Sequence, residues 1–483
     1  MGESTSVQRS RPTRWRAGIL LLGALVLVTI SAGAWLATLG EWAVVAGLLL
    51  VSWLLTVGTA ALAVAVRPGL RRRLVRTLRT VVGRGGSDLH DGHGGSAVAA
   101  VMDGADFIPA GRGAPEGAAP PSGSDILFVT SNGAGLGHLT RVLAISRALP
   151  ESCSASILTM SLAYRTVAGR EIDVRYFPSA QATGMEPRHW NPALREYMTG
   201  LLRSLRPRVV VFDGTYVYRG LTQVCRESGV PLVWLQRGCW LPEVDARSQQ
   251  RHQASEVVDD VVVPGDYAVQ ERVDAGPGID ATHVGPVTLL SRDDLLTREQ
   301  ACAALGLDPA RRHLLFNLGG GNISDPGSQL ALVHSAVQSM GQGWETTVVR
   351  SPLATDEDTL PDGFNVVRAY PVARYTRAFD LTVAAAGYNA VQEAAALGIP
   401  SVFVPNEQTR TDDQGRRADE AARAGWALVA RGADEVTETV TRAVGGPELL
   451  RSLRMALNAL PAANGAHEAA DHIVRRWVHP AAR

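Results

Sequence analysis

His138 is the side chain here best suited to moving a proton near neutrality, since an imidazole titrates at about 6.5 when unperturbed. It closes a glycine-rich run, Gly133-Ala134-Gly135-Leu136-Gly137-His138, and Arg141 follows three residues on. The run sits between the apolar stretch Ile126-Leu127-Phe128-Val129 and a helical pattern ending near Leu149. Its spacing refuses the phosphate-loop reading. The dinucleotide fingerprint G-x-G-x-x-G would need glycine at the position of His138, and a P-loop needs a lysine. The chain contains no lysine at all, which also removes Schiff-base chemistry.

Other chemistry-bearing stretches lie at the ends of apolar runs. Gly319-Gly320-Gly321-Asn322 follows Leu315-Phe316-Asn317-Leu318 and offers bare backbone N–H groups to an anion, or simply a tight turn. In Gly387-Tyr388-Asn389-Ala390-Val391-Gln392-Glu393, Asn389 and Glu393 fall four apart on one helical face. A carboxylate there can accept from both hydroxyls of a ribose, or be a solvated helix-surface acid. Thr411-Asp412-Asp413-Gln414 supplies acceptors and an amide for sugar hydroxyls, with Asp412 equally suited to capping a helix over 413–424. Asp213 ends the run Val209-Val210-Val211-Phe212 and either orients His138, holds an acceptor hydroxyl, or forms an ordinary turn. Arg237 suits an acceptor phosphate or a salt bridge at the domain edge. His189-Trp190-Asn191-Pro192 reads as part of a long loop. The four cysteines, Cys153, Cys225, Cys239 and Cys302, form no C-x-x-C pair, so neither a zinc knuckle nor a redox pair is indicated.

These residues need a frame to converge. From residue 125 on, short apolar runs alternate with amphipathic stretches, which predicts parallel-sheet α/β domains. Strands are expected near 125–130, 154–159, 172–177, 208–213, 231–235 and 259–263, with helices at 139–149 and 217–228. The pattern resets around His283-Val284-Gly285-Pro286-Val287, and further strands are expected near 313–318, 345–350, 364–368, 380–385 and 400–404. The fold class is two Rossmann-like doubly wound domains, one at 125–287 and one at 288–483 with a helical tail over 447–477. A cleft between two such sheets is the expected site.

Ahead of them, residues 17–40 and 42–66 are uncharged and each exceeds the roughly 20 residues that span a bilayer core. Arginines flank both outer ends, at 9, 11, 14 and 16 and from 67 onward, while the turn carries only Glu41. By the positive-inside rule this is a two-pass transmembrane hairpin with the catalytic domains cytoplasmic at the cell membrane. Residues 1–82 thus comprise the hairpin and a basic helix, in which Leu70, Leu74, Leu78 and Val82 recur at intervals of four. Residues 83–124 are rich in Gly, Ala, Pro and Ser and read as a flexible linker. Basic and acidic side chains balance at 47 each, so no overall field points to nucleic acid.

Taken together, Gly137-His138-Leu139-Thr140-Arg141, Gly319 to Asn322, and the block from Gly387 through Gln414 resemble the glycosyltransferases of GT-B fold. Within that fold they are most similar to the lipid II-forming N-acetylglucosaminyltransferases and the monogalactosyldiacylglycerol synthases, over about residues 125–475. The resemblance implies a UDP-sugar as co-substrate, with no cofactor, and inverting transfer of a hexose or N-acetylhexosamine to a lipid-linked or membrane-associated acceptor. It implies that Gly319, Gly320, Gly321 and Asn322 cradle the diphosphate, that Glu393 holds the ribose beside Gly387 and Asn389, and that Asp413 and Gln414 meet the sugar. His138 is then the base, supported by Asp213, with Gly135, Gly137, Arg141 and Arg237 on the acceptor side. No D-x-D motif lies near the 319–322 loop, so no obligatory metal is expected. Leu136 stands where the family has glycine, and Gly137-His138-x-x-Arg141 also resembles UDP-sugar hydrolases of the same fold. A hydrolase and a non-catalytic membrane-tethered nucleotide-sugar sensor are the alternatives.

Overall fold

The computed structural model describes residues 123–131, 136–167, 172–318, 326–341, 343–350 and 363–480. The expected hairpin, the basic helix and all but the end of the linker lie outside the described residues, as do Gly135 and Gly319 to Asn322. Among the described residues no helix is long and apolar enough to cross a membrane.

Two parallel sheets form the frame. The first contains β1 (Ile126–Thr130), β2 (Ala155–Thr159), β3 (Asp173–Tyr176), β4 (Val209–Asp213), β5 (Leu232–Leu235), β6 (Asp260–Gly265) and β7 (Thr282–Pro286), in the order β3-β2-β1-β4-β5-β6-β7. The second contains β8 (Arg312–Asn317), β9 (Trp344–Val349), β10 (Asn365–Val367), β11 (Leu381–Ala385), β12 (Ser401–Val404) and β13 (Leu428–Val429), in the order β10-β9-β8-β11-β12-β13. Strand order therefore reverses between β1 and β4 and again between β8 and β11. A crevice opens beyond the carboxyl ends of the strands at each reversal.

Among the described residues the helices of eight or more residues are α1 (Gly137–Arg147), α2 (Pro187–Leu205), α3 (Arg219–Ser228), α4 (Arg298–Leu305), α5 (Pro326–Ser339), α6 (Tyr388–Leu397), α7 (Gln414–Arg423), α8 (Gly432–Gly445), α9 (Pro447–Asn458) and α10 (Gly465–Ile473). Helices cover both faces of a parallel sheet, so its central strands read as unbroken apolar runs. β1, β4 and β5 are buried along their whole length. Alternate residues serve opposite faces: Ile126 and Phe128 join one core, Leu127 and Val129 another. The core containing Phe128 runs on through Val142 of α1 into Val391 and Ala395 of α6 and Phe403 of β12, so the two halves share apolar packing.

Two expectations change. His189 to Pro192 belong to α2 instead of a loop: Pro187 occupies the first turn, Pro192 is accommodated inside the helix, and Trp190 is buried. The segment around His283 is itself a strand, β7, pairing with β6. The helical tail crosses back, with α10 packed on β7, β6 and α1. There Gly465 is obligatory, because a Cβ would fall 1.8 Å from the Gly285 carbonyl oxygen. Asp260, fully buried at the start of β6, accepts hydrogen bonds from His472 Nε2 at 2.7 Å and Trp477 Nε1 at 2.9 Å.

Candidate active site

Sheet register brings His138 and Asp213 together. Thr130, the last residue of β1, lies beside Asp213, the last residue of β4, and the Ser131 amide donates to the Asp213 carbonyl at 2.9 Å. The chain then turns into α1, whose second residue is His138. Residues 75 apart in sequence are thus brought to one strand-order reversal, and His138 Nδ1 lies 2.8 Å from Asp213 Oδ1.

Asp213 is completely buried and fully engaged. Arg141 Nε donates to its Oδ2 at 2.7 Å, and an Arg141 terminal nitrogen donates to Oδ1 at 2.7 Å. Burial would raise the carboxyl's pKa, but Arg141 and His138 overcome it and hold Asp213 down to about 2. Ionised throughout the neutral range, Asp213 accepts the Nδ1–H of His138 and leaves Nε2 as the ring's basic atom. Burial lowers the His138 pKa below its ordinary value, with Asp213 pulling the other way. The imidazole is therefore neutral at pH 7, as a general base must be.

From the second half, β11 ends at Ala385 and Gly387 is the N-cap of α6. α6 meets α1 directly: Asn389 Nδ2 donates to the Gly137 carbonyl at 3.1 Å, one residue before His138. Glu393 lies one turn further along α6, half-buried, and burial lifts its pKa to about 7. Gln414 is buried and accepts from the Asn406 amide at 3.0 Å, and its amide nitrogen lies 3.9 Å from where a Gly387 Cβ would be. The Gly387, Asn389 and Gln414 positions thus converge at the end of β11. The 319–322 run follows β8, the neighbour of β11, but lies outside the described residues.

Several side chains serve the seam between the halves. Asp413, not Asp412, caps α7, its Oδ1 accepting from the Arg416 amide at 2.9 Å. Asp412 pairs instead with Arg417 at 2.8 Å and with Arg237 at 3.2 Å; these guanidinium groups outweigh burial and hold it down to about 2. Arg237 thus pairs with Asp412 across the seam, and Arg141 is buried on Asp213. Arg417, fully buried, also pairs with Asp266 at 2.7 Å and donates to the Ala386 carbonyl at 3.1 Å. Backbone pairing reinforces this: Trp240 and Asp412 form an antiparallel bridge, and the Leu241 amide donates to the Thr411 carbonyl at 2.8 Å. Arg417, Asp266 and Tyr388 were not singled out from sequence. Arg417 is one of two adjacent arginines in a polar helix, and no spacing rule separates it from Arg416.

All four cysteines are free thiols. Among the described residues, no group of three His, Cys, Asp or Glu side chains gathers to hold a metal ion.

Comparison with known proteins agrees with this fold. Residues 324–474 match the glycosyltransferase family 28 C-terminal domain. A UDP-N-acetylglucosamine–N-acetylmuramyl-(pentapeptide) pyrophosphoryl-undecaprenol N-acetylglucosamine transferase from Nocardioides sp. (strain ATCC BAA-499 / JS614) is 29% identical over 276 residues, covering 54% of this chain and 70% of that protein. Among solved structures, the calicheamicin glycosyltransferase CalG4 superposes with a TM-score of 0.51 at 18% identity, covering 74% of this chain and 100% of that one. The glycotransferase of kitacinnamycin gives a TM-score of 0.51 at 17% identity with the same coverage. The chain resembles the GT-B glycosyltransferases, and in sequence those that form lipid II.

Proposed function

We propose that the chain is a UDP-sugar glycosyltransferase that moves a hexose or N-acetylhexosamine, with inversion, to a hydroxyl of a lipid-linked or membrane-associated acceptor at the cytoplasmic face. The observation that carries this reading is the His138–Asp213 pair at one strand-order reversal, with α6 of the donor half anchored to the residue beside it.

In this reading His138 Nε2 takes the acceptor's proton as its oxygen attacks the anomeric carbon, and the bond to the diphosphate breaks with its electron pair leaving on UDP. Asp213 holds the ring and meets the charge that develops on it. Backbone amides of residues 319–322 receive the departing diphosphate. Glu393 takes the ribose hydroxyls, while Gln414, and Asp413 through its free oxygen, face the sugar. On the acceptor side, three residues past Asp213, Tyr216 borders a cavity of about 450 Å³ together with Glu243, Val244, Arg247 and Ser248, a mixed lining whose polar groups could meet a hydroxylated head group. The apolar runs at 17–40 and 42–66 support anchoring by a two-pass hairpin.

The test is incubation of the purified full-length chain with a panel of UDP-sugars and membrane lipids, identifying products by mass. A new glycolipid with stoichiometric UDP supports transfer. Free sugar and UDP without lipid would establish the hydrolase, and UDP binding without turnover the sensor.

A further inference from the structure

The carboxylate that orients His138 is the middle of a longer chain of contacts that begins in the opposite half. Arg141 is 3% exposed, and its outer face is covered by the ring of Tyr388, with the guanidinium carbon 4.9 Å from the ring centroid. Tyr388 is the first residue of α6, in the donor half, yet backbone of the first half fixes its hydroxyl. That hydroxyl donates to the Gly265 carbonyl at 2.8 Å and accepts from the Val287 amide at 3.1 Å. Asn389, next in sequence, holds the Gly137 carbonyl.

We propose that Arg141 and Tyr388 are positioning residues that ready the base only when the halves are closed: Tyr388 seats Arg141, Arg141 seats Asp213, and Asp213 sets the His138 ring. This inference rests on the glycosyl-transfer reading above. Bidentate guanidinium binding fixes the carboxylate plane, which a lone turn residue at a strand end would leave free to rotate. If the donor half swings away, Tyr388 leaves with α6 and one face of the buried guanidinium opens to water.

The electrostatics follow the same chain. His138 faces Asp213 and Arg141 directly and Arg237 from the seam; Arg141 in turn faces Asp213, Tyr388 and Asp412. Asp213 alone would stabilise the imidazolium and hold the proton on His138 before the acceptor arrives. Burial is the larger force against that proton, and Arg141, which shares the carboxylate and faces the ring, adds to it.

The experiment is an NMR titration of histidine-labelled protein, with His138→Asn identifying the His138 signal. Arg141→Gln is expected to raise the His138 midpoint by about one pH unit. Tyr388→Leu is expected to raise it by less, and Tyr388→Phe, which keeps the ring over Arg141, to leave it unchanged. In turnover assays the acid limb of kcat should move by the same amounts while KM for the donor holds. Unchanged midpoints in both Arg141→Gln and Tyr388→Leu would overturn the proposal. If Arg141→Gln does not fold, the Tyr388→Leu and Tyr388→Phe pair decides alone. Absence of turnover with every UDP-sugar would instead count against glycosyl transfer, since the titration does not depend on it.

Discussion

At the scale of single residues, two carboxylates are pushed in opposite directions by their surroundings. Asp213 is held ionised by two partners, and its amide variant tests what that charge does. Asp213→Asn keeps the volume but no longer demands the Nδ1–H tautomer, so kcat should drop at least about a hundredfold with donor KM little changed, measured by UDP release. Activity of the wild type should fall as pH drops below the ordinary histidine value, because protonation removes the base. Glu393 is the contrary case, lifted to about 7 by burial. Its folded pKa lies above the unfolded one, so its contribution favours the folded chain at low pH and is lost as pH rises through about 7. Glu393→Gln should therefore melt at about the same temperature as wild type at pH 4.5 and higher than wild type at pH 8. The same variant should bind UDP at least about tenfold more weakly at pH 8, where the wild-type carboxylate is ionised and accepts from the ribose. Melting curves and calorimetry at the two pH values check both; an E393Q variant that binds UDP as well as wild type would remove Glu393 from the donor site.

At the scale of elements, adjacent acids at the start of α7 do different work. Asp413 satisfies one helix-end amide, so Asp413→Ala should cost about 1 kcal/mol. Asp412→Ala leaves buried Arg417 and Arg237 short of a partner and should cost about 3 kcal/mol or more. Urea unfolding of the two variants separates them, and equal losses would refute the assignment. From sequence, Asp412 is as well suited to capping the helix as to meeting a sugar, because Asp412 and Asp413 are adjacent at its start and nothing local distinguishes them; the choice is made by Arg417 and Arg237 closing on Asp412. Elements buried on both faces were readable for the opposite reason. Val209-Val210-Val211-Phe212 and Leu232-Val233-Trp234-Leu235 are apolar because helices cover both sides of the sheet. β7, Thr282-His283-Val284-Gly285-Pro286, lies at the sheet edge with a single buried residue, so it carries turn-like residues and no strand pattern. α2 was hidden by Pro192, a residue that breaks most helix interiors. Asp213 is readable as a strand-end residue and His138 as the close of a glycine-rich run, whereas Tyr388 acquires its role through partners in the other half, and Arg417 through Asp266 there and Asp412 in its own half.

At the scale of the whole molecule, the two sheets are joined, beside the contact of α6 with α1, on two further sides. One is the seam of Arg417, Asp412, Asp266 and the Trp240–Asp412 bridge. The other is the returning helix α10, which carries the chain's end onto the first half and closes on Asp260 through His472 and Trp477. A GT-B cleft has to open for substrates and close for chemistry, so one junction must yield while another persists. The seam is made of ion pairs and short backbone contacts beside the cleft, whereas α10 is seated by the apolar residues Ala469, Ala470 and Ile473, all fully buried. The apolar junction is the better persistent hinge, because its burial is non-directional and tolerates small rotations that would break ion-pair geometry. Asp260→Ala removes the polar anchor of that junction and strands no buried cation, since Arg476, which also pairs with it at 3.4 Å, is exposed, and His472 and Trp477 can turn to solvent. It should loosen the tail and expose the 459–464 connection to protease, and should split thermal unfolding into two transitions as the halves uncouple. Asp412→Ala should lower stability while retaining one transition, because the returning helix still ties the halves together. Calorimetry with limited proteolysis distinguishes the two, and a single unchanged transition in Asp260→Ala would move the hinge to the seam.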